Sequence, residues 1–333
     1  MNRKNFLSQI GTTLAAAALT PNLISCERKQ GQKIRGLKNW AKNYTYKAEE
    51  VRYPQDIVNL SKLLKSHSKV KALGTQHCFN DIADTSGMQL STKNLNSIIE
   101  LNQGLSYVIV ESGIKYGDLA NQLHNNGWAL HNLASLPHIS VGGSCATATH
   151  GSGVRNGNLA TALLGFELLT PSGDLIWVDQ QTNSDLFYGG GVSMGALGIM
   201  TKVKLAIQPT FEVSQRVYEN LSMDNLKYNF DKIMSEGYSV SFFTHWLDKN
   251  INQVWVKSRE DESGEILSDF YGATPASKDL HPIKANSPIN CTPQMGVPGP
   301  WHRRLPHFKM DFTPSNGDEL QSEFFVGREN AYE

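Results

Sequence analysis

From residue 46 onward, hydrophobic and polar positions alternate with the periods of short helices and short strands. Apolar side chains at Leu60, Leu63 and Leu64 recur at helical spacing and so predict a helix. The helices predicted in this way cover residues 55–66, 116–126 and 226–236. Short apolar runs bounded by Gly, Pro or turn residues predict strands over residues 70–73, 107–111, 163–170, 175–178, 197–208, 211–218 and 239–243.

This mixture of elements predicts an α+β fold. Pro209 stops the strand predicted over residues 197–208, and the pattern starts afresh after it. We therefore expect one α+β domain over residues 39–209 and a second α+β part over residues 210–333. The Pro-rich stretch 276–314 is predicted to be loop.

Composition and charge narrow the class of ligand. Lys and Arg together number 31, and Asp and Glu together also number 31, so the electrostatic case for a nucleic-acid partner is absent. The balance favours a small neutral ligand. The four cysteines form no CxxC pair and no cluster with zinc spacing, so we expect neither a structural metal nor a disulfide framework.

The N-terminal residues 1–26 have the pattern of an export signal. Arg3 and Lys4 precede an Ala-rich apolar stretch over residues 10–19, which is shorter than the roughly 20 residues of a membrane-spanning helix. Residues 23–26 resemble a bacterial lipobox, which predicts lipidation of Cys26. The start also resembles a twin-arginine signal. We expect an exported protein, held to the membrane only by this anchor through a tether over residues 27–38; a buried N-terminal helix is the alternative.

The loop after the strand at residues 70–73 carries the first candidate chemistry. Gly74 allows a tight turn and a close approach to a ligand. Backbone N–H groups and the side chains of Thr75, Gln76 and Asn80 can bind phosphate oxygens. His77 stands inside this loop, although a lone histidine is more often a packing or surface residue.

A second loop, over residues 132–153, is dense in Gly, Ser and Thr. A flexible linker would have this composition too, but Leu133, Leu136, Ile139 and Val141 interleave with the small residues and indicate packing. A Rossmann site is the rival dinucleotide-binding arrangement. The Gly cluster at residues 189–198 precedes a strand instead of opening a helix, which argues against a Rossmann site.

The paired loops resemble the FAD-binding domain of the vanillyl-alcohol-oxidase type, also called the PCMH type. Within that group the chain is most similar to bacterial alditol oxidases, which are related to the aldonolactone oxidases. The motifs that carry the resemblance lie at residues 39–41 (NWA), 74–80 (GTQHCFN), 134–140 (ASLPHIS), 148–153 (ATHGSG), 195–199 (GALGI), 297–302 (VPGPWH), 305–307 (LPH) and 320–323 (LQSE). The resemblance implies a two-subdomain FAD-binding domain followed by an incomplete substrate domain.

The resemblance also implies roles for individual residues. His77 matches the histidine that bonds covalently to the flavin 8α-methyl group, Ser135 a serine near the substrate hydroxyl, and Ala134 the position that controls oxygen access. The implied cofactor-binding residues are Ala72, Leu73, Gly74, Thr75, Gln76, His77, Cys78, Asn80, Ser135, Ser140, Gly143, Thr147, Ala148, Thr149, His150 and, at the adenosine end, Ile199. Gln76 and Cys78 depart from the usual Gly and Ser of the first motif.

The activity implied is FAD-dependent oxidation of a polyol primary alcohol, with hydride transfer to the flavin and oxygen as the acceptor that yields hydrogen peroxide. An aldonolactone oxidase or dehydrogenase and a flavin-binding remnant without turnover are the alternatives. The family's polyol-binding Glu, Arg, His and Lys lie nearer the C-terminus than this chain reaches, so we expect a truncated chain with no catalytic residue assigned within it. The last stretch, 323–330, is predicted as a strand running into a helix, and His302 and His307 as packing or hydrogen-bonding groups.

Overall fold

The computed structural model describes residues 34, 36–262, 269–311 and 320–331. The predicted export signal, Cys26 and most of the predicted tether lie outside the described residues. Five α-helices are described: α1 Ile57–Lys65, α2 Tyr116–Asn125, α3 Val141–Ala146, α4 Ser184–Gly190 and α5 Met223–Ser235. In the part of the chain described, no helix is long and apolar enough to cross a membrane.

Strands and helices are mixed along the chain without regular alternation, as expected of an α+β fold. They are β1 Glu50–Arg52, β2 Val70–Leu73, β3 Met88–Ser91, β4 Ile98–Asn102, β5 Tyr107–Glu111, β6 Trp128–Ala129, β7 Leu163–Leu169, β8 Leu175–Val178, β9 Ile199–Ala206, β10 Gln208–Pro209, β11 Glu212–Ser222, β12 Ser239–Phe243, β13 Asn250–Arg259, β14 Thr274–Pro275 and β15 Gly299–Pro300. The predicted helices and strands between residues 55 and 243 are all present, and β2, β5, β8 and β12 have the predicted ends. The elements that were not predicted are β1, β3, β4, β6, β13, β14, β15, α3 and α4.

Two sheets build the N-terminal part. A small parallel sheet has the order β1-β3-β2, and α1 covers it. An antiparallel sheet of five strands has the order β4-β5-β9-β7-β8. Helix α1 begins after Asp56, whose side chain accepts a hydrogen bond from the backbone N–H of Asn59 at 2.7 Å, and it buries Leu60 and Leu64 against the small sheet. The two sheets flank the predicted loops, which run between them.

The C-terminal part has a sheet of its own. Four of its five strands follow the order β12-β13-β11-β14. The fifth, β15, pairs with Glu212 and Val213 at the start of β11. Helix α5 packs on this sheet over a separate apolar cluster that includes Leu226, Ile233 and Val254. Phe211, Trp301 and Leu305, however, pack into the large core of the N-terminal part. The boundary between residues 209 and 210 therefore stays a prediction, because apolar side chains from beyond it complete the first core.

Two local predictions were wrong. Residues 320–327 form neither a strand nor a helix, and only a 3-10 turn, Arg328–Asn330, follows them. Every side chain described in this stretch is exposed, so no burial offsets the entropy of ordering regular structure there. The loop predicted over residues 132–153 contains helix α3, which forms because Val141 and Cys145 are fully buried on one face. Of the loop predicted over residues 276–314, the described part up to residue 311 is confirmed except for β15 and short 3-10 turns.

Candidate functional site

A cleft opens where the two predicted loops meet beside the last residues before β9. It encloses about 1000 Å³ of empty space, its open mouth included. The lining residues include ten that were predicted to bind the cofactor: Ala72, Leu73, Gly74, Thr75, Gln76, His77, Cys78, Gly143, Thr147 and Thr149. Residues far apart in the chain thus form one concave surface, which is the usual shape of a small-molecule site.

Two glycines bring the loops into contact. A Cβ atom on Gly74 would lie 2.8 Å from the Ser140 Oγ and 3.6 Å from the Gly143 Cα. A Cβ atom on Gly143 would likewise lie 2.9 Å from the same Ser140 Oγ. The two distances to the Ser140 Oγ are shorter than van der Waals contact, so a side chain at either glycine would clash with Ser140 and disturb the contact between the loops. The glycines leave a bare backbone surface that a flat or phosphorylated ligand can approach closely.

Thr75 ties the loops together by hydrogen bonds. Its Oγ1 accepts from the Ser140 backbone N–H at 3.2 Å and lies 3.1 Å from the His77 Nδ1. The Ser140 Oγ is buried and has no hydrogen-bond partner among the described residues. A buried hydroxyl of this kind, next to an open cleft, is a candidate donor to a ligand.

Gln76 adopts a backbone conformation that glycine would adopt more easily. Its φ is +66°, in the left-handed region, which costs a non-glycine residue about 1–2 kcal/mol. The backbone N–H of Trp40 donates to the Gln76 carbonyl at 2.7 Å, and the side-chain amide of Gln76 donates to the Lys38 carbonyl at 3.1 Å. These contacts hold the turn in spite of the departure from Gly at this position.

His77 is held rigidly and kept neutral. Its ring stacks on Trp40, with centroids 5.0 Å apart and planes inclined by 25°. Its Nε2 atom is shielded from solvent and finds no partner in the described part of the chain. Burial, followed by the nearby His138, lowers the pKa of His77 to about 4, so the imidazole is uncharged near neutral pH. A neutral imidazole with an unused nitrogen in a cleft fits attachment of a cofactor.

The far end of the cleft is formed by the turn before β9. The Lys71 ammonium donates to the Met194 carbonyl at 2.9 Å, and the Met194 N–H donates to the Ala146 carbonyl at 2.9 Å. Gly198 and Met200 line the cleft, whereas Ile199 between them is 2% exposed and packs in the core over α1. Side chains alternate along a strand, so Ile199 points away from the cleft that its neighbours line.

The other predicted cofactor-binding residues lie outside the lining. Asn80 caps the 3-10 turn Asp81–Ala83, because its Oδ1 accepts from the Ile82 N–H at 3.1 Å. His150 is exposed, and its Nε2 lies 3.4 Å from a Glu323 carboxylate oxygen. Ala148, within the second loop, has a left-handed φ of +54°.

Several lining residues were missed by sequence reasoning. Thr92 and Ser112 each follow the end of a strand, β3 and β5, and both line the cleft. The Ser112 Oγ is buried without a partner within the described residues, as the Ser140 Oγ is. The signal that could have found Ser112 is its position directly after a predicted strand and before Gly113.

Ser135 and Ala134 lie on the second loop against the C-terminal part. Ser135 is exposed, and its Oγ lies 2.8 Å from the Nδ1 of the buried His307. Ala134 is buried beside it. His302 does not contact this pair in the same way: its ring centroid lies 4.8 Å from that of His124. Neither ring nitrogen of His302 has a hydrogen-bond partner in the described residues.

Lys257, on β13, is a buried cation that sequence reasoning did not predict. It is 1% exposed, and its ammonium donates to the Leu305 carbonyl. Burial lowers the pKa of Lys257 from 10.5 to about 7, although the nearby Cys291 opposes that shift. The pKa of the neighbouring His307 lies well below its usual value because of burial and the Lys257 charge.

This buried lysine predicts a pH dependence of stability. Between pH 7 and 10.5 the unfolded chain keeps the Lys257 proton while the native state releases it, so stability rises with pH in that window. Relative to Lys257→Met, the native protein should gain about 2 kcal/mol of unfolding free energy between pH 7 and about pH 9. Urea unfolding at both pH values measures this, with the exposed Lys62→Met as the matched control. Parallel pH curves for wild type and Lys257→Met would contradict it.

Comparisons with known proteins indicate an FAD-binding domain that includes the two loops. The model of a family described as FAD binding domain matches residues 49–179, which contain both loops. The chain is 43% identical over 297 residues to an alditol oxidase of a Streptomyces species, covering 88% of this chain and 70% of that protein. It is 30% identical over 240 residues to L-gulonolactone oxidase of Mus musculus, covering 70% of this chain and 54% of that protein.

A relative of lower identity is a lactone dehydrogenase. An L-gulono-1,4-lactone dehydrogenase of Mycobacterium tuberculosis is 29% identical over 202 residues, covering 60% of this chain and 46% of that protein. The chain thus spans 70% of the alditol oxidase and about half of these lactone-oxidising relatives. A crystal structure of cholesterol oxidase from B. sterolicum matches with a TM-score of 0.60 at 15% identity, covering 69% of this chain and 48% of that one. That likeness shows the fold, a two-part FAD-binding architecture of the PCMH type.

Proposed function

The chain belongs to the alditol oxidase family of FAD-binding proteins, and from this premise we propose that it oxidises a primary alcohol of a polyol. Bound FAD would supply a hydride acceptor for the carbinol carbon, and its reoxidation by oxygen would give hydrogen peroxide. The protein's part is to bind and orient the reactants. Residues of this chain would therefore act by position and hydrogen bonding.

One observation carries the proposal: a rigid, neutral His77 with an unused Nε2 lies in a cleft floored by two glycines. The stack on Trp40 fixes the ring, and Thr75 lies within hydrogen-bond distance of the other nitrogen. These features fit FAD held covalently through the imidazole, which is the linkage we propose. The bare backbone at Gly74 and Gly143 would accept the middle of the cofactor, and the Ser112 and Ser140 hydroxyls would donate to it.

Ser135 and Ala134 are proposed to act at the substrate side. Ser135 presents an exposed hydroxyl that is fixed from behind by His307. The buried Ala134 places only a methyl group beside it, which leaves a small neighbour such as oxygen room to approach. We assign no catalytic acid or base among the described residues.

An aldonolactone is the second substrate class, since lactone-oxidising relatives share the fold. The higher identity and the greater length in common with the alditol oxidase favour a polyol.

The test is anaerobic mixing of the flavin-loaded, full gene product with xylitol or sorbitol, and separately with galactonolactone. We expect the polyols to bleach the flavin absorbance, and readmitted oxygen to restore it with formation of peroxide. Bleaching by the lactone alone would assign the second class. Absence of bleaching with every alcohol and lactone would contradict oxidase activity of either kind.

We also propose that the protein is exported and lipid-anchored at Cys26. The support is the pattern of residues 3–26 described above. Mass spectrometry of the protein from its native host should find a lipidated N-terminal Cys26; an intact Met1 terminus on the mature protein would contradict the proposal.

A further inference from the structure

Ser135 and His307 are joined across the two parts of the molecule. The Ser135 Oγ lies 2.8 Å from the His307 Nδ1, and the Ser135 carbonyl accepts from the backbone N–H groups of His307 and Phe308, each at 3.2 Å. One residue of this pair is exposed and the other is buried. Ser135 therefore makes three hydrogen bonds to the C-terminal part, one at its hydroxyl and two at its carbonyl.

The far side of the His307 ring is apolar. Phe243 and Trp255 pack on it, with ring centroids at 5.4 Å and 5.2 Å and planes inclined by 82° and 67°. The His307 Nε2 is buried, and no described residue offers it a hydrogen bond. Lys257 donates to the carbonyl of Leu305, two residues before His307, and so brings a cation near the ring.

These surroundings decide which ring nitrogen carries the hydrogen. Burial and the Lys257 charge hold the pKa of His307 well below its usual value, so the ring is neutral and has a single N–H. A buried N–H without an acceptor is rarer in proteins than a buried acceptor without a donor. No described residue offers an acceptor to Nε2, which favours a lone pair on that nitrogen. The hydrogen then lies on Nδ1 and is donated to the Ser135 oxygen.

We propose that His307 is a positioning residue that fixes the direction of the Ser135 hydroxyl. Because the Ser135 oxygen accepts from Nδ1, its own hydrogen is directed away from His307 and is available to a substrate oxygen. This inference rests on the proposed function. Negative charge builds on the substrate oxygen when its proton is removed before the hydride leaves, and a preorganised donor aimed at that oxygen stabilises the charge.

The pair does not have the properties of a nucleophilic serine and its base. A base must take the serine proton, and a buried imidazole near the Lys257 ammonium resists protonation. The orienting carboxylate of such sites is also missing from the described residues around Nε2. His307 therefore acts as a donor to Ser135 and not as an acceptor from it.

Rapid-mixing kinetics of flavin reduction test the proposal in the flavin-loaded, full gene product. Ser135→Ala should lower the limiting rate of reduction on the order of 10²-fold, as loss of one preorganised donor does. His307→Leu, which keeps an apolar side chain of similar reach, should lower it roughly tenfold or more with little change in KM. His307→Asn can place an amide N–H near the position of Nδ1 and should recover part of that loss.

The double variant and a matched histidine complete the kinetic test. His307→Leu should cost nothing further in a Ser135→Ala background, because the two residues act as a unit. His302→Leu, also in the C-terminal part but without a serine contact, should keep the wild-type limiting rate. A wild-type rate in His307→Leu, or losses that multiply in the double variant, would overturn the proposal.

Nitrogen NMR of histidine-labelled protein gives a readout that needs no turnover. The His307 signals, assigned by their loss in His307→Asn, should show a hydrogen on Nδ1 and none on Nε2. A hydrogen on Nε2 would overturn the inference even in an active enzyme. A hydrogen on Nδ1 in a protein that no polyol or lactone reduces would contradict the proposed function and still support the donor direction.

Discussion

Replacing His77 with Ala is expected to abolish covalent attachment of flavin completely. Thr75 and Trp40 hold the imidazole, and its Nε2 has no competing partner in the described residues. Because the pKa of His77 is lowered to about 4, the ring is neutral and its lone pair is available near neutral pH. Ala removes the imidazole that would form the bond, while the glycine floor of the cleft stays intact.

Acid precipitation followed by a denaturing gel measures the outcome. Wild-type protein should carry flavin fluorescence through both steps, and His77→Ala should release all of its flavin into the supernatant. His245→Ala, an exposed histidine on the turn between β12 and β13, is the matched control and should retain the cofactor. Flavin that precipitates with His77→Ala, or a wild-type protein that releases all of its flavin, would show that His77 does not form the linkage.

Gly142→Ala is expected to destabilise the protein strongly and to reduce its flavin content as well. A Cβ atom there would lie 2.6 Å from the Ser112 Cβ and 3.2 Å from the Ser112 carbonyl oxygen. The Gly142 N–H donates to that same carbonyl at 2.8 Å, so the backbones cannot separate without breaking a buried hydrogen bond. Overpacking of this kind lowers the free energy of unfolding by about 3 kcal/mol. Both residues line the cleft, so their displacement also deforms the flavin site.

Gly189→Ala is the matched control for that variant. It lies in helix α4, and a Cβ atom there meets nothing within 4 Å among the described residues. Replacing a helical glycine with Ala stabilises by roughly 0.5–1 kcal/mol. Urea unfolding of the flavin-free proteins and the ratio of flavin to protein absorbance measure both effects. Equal stability and flavin content in the two Ala variants would refute the role assigned to the Gly142–Ser112 contact.

Local patterns were sufficient to predict the first loop and much of the sheet framework. Gly74 follows a β-strand whose end is marked by an apolar run, and the Gly-rich second loop contains apolar residues that need burial. The family resemblance added the link between the two loops. Their contact through Ser140 and Thr75 depends on residues 65 positions apart, which no local pattern contains.

Strand β13 shows why some elements and some site residues were not predicted. Gln253 and Lys257 interrupt its apolar run, which obscures the pattern of a buried strand. Both are buried because their partners, the carbonyls of His281 and Leu305, come from distant loops. The Ser135–His307 pair likewise joins positions 172 residues apart. These polar residues are buried because distant residues satisfy their hydrogen bonds. The spacing of residues in the sequence does not reveal such partners.

The shared core bears on how this architecture can be reused. Phe211, Trp301 and Leu305 fill the interior of the N-terminal part, although all three come after the predicted domain boundary at residue 209. The cofactor-binding half is therefore not a portable module. A fusion that borrows residues 39–209 alone would leave apolar surface uncovered, and such surface promotes aggregation. A graft onto another scaffold must bring along residues 210–213 and 299–308 or an engineered apolar cover in their place.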